Sequence, residues 1–153
     1  MVNQDNQIIE LLGRNKLVSE ILLSGLEVAI PERDRGIDLI AYTDFTDKTQ
    51  EYISKPIQMK SSTKSVFGIW KKYSKFSNLI MAYIWYIQDE NKCVTYALTY
   101  KEALEIAEKM GWTNTSSWND KGGYSTSNPS KKLTELLKPY KMNSKKWWNK
   151  ITR

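Results

Sequence analysis

Ile8, Leu11, Leu12, Val18, Leu22 and Leu23 recur at intervals of three and four, which places them on one face of a helix over residues 8–24 that Gly25 ends. Residues 26–30 read as a short strand before a turn at 31–35. Apolar runs at 37–42 and 53–59 predict a second and a third strand, with Pro56 tolerable only near a strand start or on an edge. The polar stretch 43–52 joins them, in part as a long hairpin arm. Over 62–77, Val66, Ile69, Trp70 and Tyr73 are spaced for a short or irregular helix. Residues 79–88 read as a strand buried on both faces, with Met81, Tyr83, Trp85 and Ile87 on one and Ile80, Ala82, Ile84 and Tyr86 on the other. A tight turn at 89–92 leads to its hairpin partner at 93–98. An amphipathic helix over 100–110 is closed by Gly111. Residues 112–130, rich in Ser, Thr, Asn and Gly, read as a loop excursion. Ser130 is a cap for a helix running to Lys138, ahead of Pro139.

This order predicts an α/β fold, a mixed β-sheet flanked by helices. Residues 1–111 form its core, and 112–153 a loop and basic, Trp-containing helical extension packed on it. A length of 153 residues suits a single domain, and 41% apolar against 26% charged residues argues against disorder. No segment repeats.

Two absences restrict the chemistry. The chain has no His, which removes Ser-His-Asp, Cys-His and His-metal catalysis. Cys93 is its only Cys, so an internal disulfide and a Cys-built zinc site are both excluded, and a lone thiol fits a reducing compartment. Catalysis here must use carboxylates, amides, hydroxyls and Lys, with a hard cation held by oxygen. Residues 1–7 lack the pattern of a signal peptide. The longest apolar run, 79–87, is about half of the roughly 20 residues needed to span a bilayer. A cytoplasmic protein with no membrane partner is expected.

The net charge of +6 is unevenly placed: residues 121–153 hold nine Lys and Arg against Glu135 alone, leaving 14 basic against 16 acidic residues in 1–120. Such asymmetry suits a polyanion, because clustered Lys displaces counterions from phosphates. A solvated Lys-rich helix has the same composition.

One spacing carries chemistry. If 37–42 and 53–59 are neighbouring strands, Asp38 at the start of one meets Gln58 and Lys60 at the end of the other. Residues two apart share a face, so Gln58 and Lys60 point together while Met59 points away. A carboxylate and an amide oxygen, helped by the Met59 carbonyl, can hold Mg²⁺, with Mn²⁺ as substitute. Lys60 then stands where it can serve the attacking water and stabilise charge on a phosphate.

At these residues the chain resembles the PD-(D/E)xK phosphodiesterase superfamily, which includes restriction endonucleases and Holliday junction resolvases. The likeness covers about residues 8–100 in element order: a helix, a three-strand meander, a second helix and a further strand. Asp38 matches the metal-binding Asp and Lys60 the terminal Lys. Gln58 stands where Asp or Glu is usual, as in Mrr-like restriction enzymes, and Ile37 replaces the nominal Pro. The resemblance implies Mg-dependent hydrolysis of nucleic acid, with DNA the expected substrate, and a possible homodimer. It also implies a carboxylate from the first helix, for which Glu20 is the candidate. Relatives would place that group nearer Lys16, and a Lys16–Glu20 surface ion pair is the plain alternative.

Ser61, Ser62 and Lys64 follow the site and can contact phosphates. Lys71, Lys72 and Lys75, interleaved with Trp70, Tyr73 and Phe76, suit backbone contact with aromatic stacking, as do Lys145 and Lys146 beside Trp147 and Trp148. Packing of the same aromatics under a solvated Lys face competes with that reading. Two rivals stand beside a nuclease: the same fold with an incompetent site that binds DNA or protein, and an unrelated small α/β interaction domain.

Overall fold

Asp5 starts the first helix by accepting the Gln7 amide on its side chain (2.8 Å), and Gly25 ends it with a φ of +94° that only glycine adopts freely. In the computed structural model, which describes residues 5–45 and 51–153, this helix is α1 (Asn6–Leu23). It is followed by the meander β1 (Glu27–Ala29), β2 (Leu39–Tyr42) and β3 (Ser54–Ser61). Residues 46–50 of the predicted hairpin arm lie outside the described residues. Thr43 and Ile53 carry the β2–β3 pairing up to that arm.

After β3 the chain crosses over to β5 (Ile80–Trp85), parallel to β3, and returns antiparallel as β6 (Val94–Thr99). The main sheet therefore runs β1-β2-β3-β5-β6 with mixed directions. Pro56 lies before the first β3–β5 pair, Ile57 with Ile80, so no parallel neighbour needs its missing N–H. Then come α2 (Tyr100–Lys109), held at its start by a Thr99–Glu102 capping box, α3 (Ser116–Lys121), β7 (Gly123–Thr126), α4 (Lys131–Leu137) and α5 (Ser144–Thr152).

The β5 side chains divide the core in two. Ile80, Ala82 and Ile84 join Leu17 and Ile21 of α1, Ile57 and Met59 of β3, and Trp147 and Ile151 of α5. Met81, Tyr83 and Trp85 face the opposite layer, with α2, Trp112, Trp118, and Leu133 and Leu137 of α4. Residues 112–153 thus contribute to both layers of an α/β domain.

Four expectations are corrected. The 62–77 segment is not an irregular helix: it holds strand β4 (Phe67–Trp70) and a one-turn 3-10 helix at Lys71–Tyr73. The stretch 112–130 is not a loop, since it supplies α3 and β7, and β7 pairs with β4 in a second, two-stranded sheet. Each strand of that sheet depends on a partner more than fifty residues away in sequence, which local patterning cannot see. The alternation along β5 reverses after Trp85, because Tyr86 takes a φ of +55°. Tyr86 consequently packs with the Met81 layer and Ile87 with the Ile80 layer.

The fourth correction concerns α1. Its buried stripe is Gly13, Leu17 and Ile21, while Ile8, Leu11, Leu12, Leu22 and Leu23 of the predicted apolar face are exposed. Gly13 explains the choice of face: a Cβ there would come within 2.4 Å of Ser61 Oγ, so α1 lies directly against β3. In a free helix Gly→Ala adds about 1 kcal/mol of stability. Gly13→Ala should instead cost about 1–3 kcal/mol through overpacking, read as a lower urea midpoint. Adding Ser61→Gly should restore most of the loss.

Candidate metal and nucleic-acid site

The β2–β3 ladder stops at Leu39 with Ile57, so the end of β3 has β5 on one side and a notch on the other. Asp38 and Gln58 are the next residues outward. A main-chain N–H opening on such a notch needs a partner, and Asp38 Oδ2 accepts the Met59 N–H at 2.7 Å. The N–H and C=O of one residue leave an extended strand on the same side, so the Met59 carbonyl opens on the notch too.

Three carboxylates converge here. Oxygens of Glu10, Asp34 and Asp38 all lie within 4.8 Å of one another. Glu10 comes from α1, three residues before the Gly13 contact that brings the helix onto β3. Asp34 comes from the turn before β2. Neither was singled out by the sequence spacing; the available signal for Glu10 was its place one turn before the lone glycine of the helix. Glu10 also meets Arg14 at 3.5 Å, a surface pair of little strength. Glu10 and Asp34 are exposed and Asp38 half-buried, and hard, anionic oxygens of this kind are the donors that Mg²⁺ or Mn²⁺ takes.

Gln58 and Lys60 project to the sheet face away from α1, opposite Met81 and Tyr83 in the β3–β5 register. Among the described residues, the buried Oε1 of Gln58 has no hydrogen-bond partner. Lys60 Nζ lies 5.2 Å from the centroid of the Trp70 ring. Two glycines make room for that ring: a Cβ on Gly68 would come within 2.8 Å of it and one on Gly123 within 2.4 Å. The small sheet therefore holds the aromatic wall on which Lys60 rests. Beside it, a groove of about 490 Å³ runs between α1 and the end of β3, lined by Glu10, Lys60, Ser61, Ser62 and Thr63 among others. Ser61 Oγ is already engaged, donating to the Ile9 carbonyl at 3.1 Å. The Ser62 hydroxyl accepts the Lys64 N–H at 3.0 Å.

Other candidates lie elsewhere. Glu20 stands ten residues further along α1 than Glu10, roughly 15 Å at helical rise. Its carboxylate receives Lys16 Nζ (2.7 Å), Thr95 Oγ1 (3.0 Å) and Trp147 Nε1 (3.0 Å), so it joins α1, β6 and α5. Lys71, Lys72 and Lys75 are exposed on and after the 3-10 turn that follows Trp70, near the aromatic rings of Trp118, Tyr73 and Phe76 respectively. Lys145 and Lys146 are exposed on α5, which meets the start of β3, where Lys55 Nζ donates to the Lys150 carbonyl (3.0 Å). They therefore belong to the end of the strand opposite the notch.

No family model, curated protein or solved structure matches the chain. Among the described residues no helix is long and apolar enough to cross a membrane.

Proposed function

We propose that this protein is a divalent-metal-dependent phosphodiesterase acting on nucleic acid, with DNA as the expected substrate, in a reducing, cytoplasmic compartment. One observation carries the reading. Glu10, Asp34 and Asp38 gather their oxygens at the strand notch onto which Met59 opens, beside the groove that holds Lys60.

Glu10, Asp34 and Asp38 would hold the cation, with the Met59 carbonyl as a neutral donor. When bound, such a cation polarises a phosphoryl oxygen and acidifies the water it holds. Lys60 supplies a fixed positive charge for the phosphate as negative charge grows in the transition state, and Trp70 limits where its ammonium can go. Ser62 and Thr63 offer hydroxyls along the same groove, suited to a neighbouring phosphate. Lys71, Lys72 and Lys75 extend the cationic surface beyond Trp70, and binding through them should weaken steeply with salt. No step requires His.

The assay is nicking of supercoiled plasmid and cleavage of single-stranded DNA with Mg²⁺ or Mn²⁺. Cleavage should stop on chelation, and Lys60→Ala should lower it on the order of a hundredfold while leaving Mn²⁺ affinity unchanged. Gln58 favours a second reading, a nuclease fold that binds DNA without cutting it, because a neutral amide donates less to a cation than a carboxylate does. Salt-sensitive DNA binding with no cleavage under either metal would select that reading.

A further inference from the structure

We propose that a pocket at the end of β3 opposite the notch binds a phosphate monoester. This inference is independent of the phosphodiesterase reading. The pocket, about 430 Å³, lies where α5, the start of α2 and the segment before α5 meet the start of β3, and its size is usual for small-molecule sites. Lys55 stands five residues before Lys60 on β3, roughly 16 Å at strand rise, so the pocket is separate from the candidate metal site.

Its charge points to a ligand. Four cationic side chains line it, Lys55, Lys146, Lys150 and Arg153, against one carboxylate side chain, Glu102. Lys146, Lys150 and Arg153 follow at intervals of four and three, so α5 gathers like charges along one face, an arrangement that weakens a helix. Glu102 serves only one of them. Its Oε2 accepts both the Thr99 N–H of the α2 capping box and Lys150 Nζ, each at 2.7 Å. Among the described residues, Lys55, Lys146 and Arg153 have no ion-pair partner. Lys55 Nζ instead donates to the Lys150 carbonyl at 3.0 Å, which leaves two of its three protons for another acceptor. Burial and the nearby Lys150 ammonium hold Lys55 below the ordinary lysine range, and Glu102 offsets them only in part. An anion seated among these groups relieves that repulsion.

So strong an excess of positive charge favours a doubly charged group. A phosphate monoester carries about −1.5 to −2 near pH 7 and three strong acceptor oxygens, whereas a carboxylate or a backbone diester is singly charged. Lys55 and Lys146 suit its oxygens as point charges, and the Arg153 fork can grip two of them. Beside the cations, Tyr140 and Met142 supply an apolar wall for the body of the ligand. A free mononucleotide and the 5′-phosphorylated end of a strand both present this chemistry.

Calorimetric titration of the full chain tests this, with EDTA present to exclude any contribution from a divalent cation. Adenosine monophosphate should bind saturably at one per chain, and adenosine should not. A 5′-phosphorylated thymidine tetranucleotide is compared with its 5′-hydroxyl form: preference for the phosphorylated form assigns the pocket to a strand end, and binding of the mononucleotide alone assigns it to a free ligand. Lys55→Gln with Lys146→Gln should weaken binding on the order of tenfold or more, with unchanged circular dichroism. Lys146 is exposed, so Lys146→Gln alone serves if the double variant does not fold. The proposal is overturned if neither phosphorylated probe binds more tightly than its unphosphorylated counterpart, or if binding is unchanged in the folded variant.

Discussion

Asp38→Asn should abolish metal-dependent cleavage, by a factor on the order of a hundred or more, in a protein that remains folded. The choice of Asn follows from the 2.7 Å contact with the Met59 N–H. An Asn oxygen can accept that bond, so β3 keeps its notch while the site loses one anionic ligand. Asp38→Ala leaves the N–H without its acceptor, at about 1–3 kcal/mol, and confounds loss of chemistry with loss of structure. Urea denaturation distinguishes the two: the Asn variant should unfold near the wild-type midpoint and the Ala variant below it. Full cleavage by Asp38→Asn would remove this residue from the site.

The second large effect concerns stability. Trp147 is completely buried, heads the fully buried side chains by size, and donates its indole N–H to Glu20 across the α1–α5 junction. Trp147→Ala should cost about 3–5 kcal/mol from the lost apolar contacts and the cavity left behind. Domains of this size are stable by only about 5–15 kcal/mol, so the variant should lie close to unfolding at room temperature. Trp147→Phe retains most of the ring but not the donor. It should cost roughly 1–3 kcal/mol, with Glu20 still served by Lys16 and Thr95. A loss under about 1 kcal/mol for Trp147→Ala would mean that α5 does not dock as described.

What the sequence disclosed and what it hid have physical causes. The meander, the β5–β6 hairpin and α2 were legible because their signals are local: apolar runs, a tight turn, an amphipathic stretch closed by Gly111. Ser130 likewise marked the start of α4. The β4–β7 pair was hidden because a four-residue strand takes its meaning from a distant partner. The orientation of α1 was misread for a different reason. Its outer face is richer in Leu and Ile than its inner one, where a glycine secures close packing, so hydrophobicity pointed to the wrong side. The same misreading concealed Glu10. The adjacency of Asp38 and Gln58 just beyond the β2–β3 ladder was legible because strand register is arithmetic. The helix carboxylate required knowing which turn of α1 crosses β3, and Gly13 supplies that only once the contact is seen. Glu20 was a reasonable candidate whose partners, Thr95 and Trp147, come from segments far along the chain.

Titration calorimetry of Mn²⁺ into the purified chain bears most directly on the carboxylate cluster at the strand notch. One saturable ion per chain is expected, with binding lost in Asp38→Asn, lost in Glu10→Gln, and retained in Lys60→Ala. Absence of saturable binding to the wild-type chain, or binding that survives Asp38→Asn and Glu10→Gln together, would contradict the assignment of these carboxylates to a metal site.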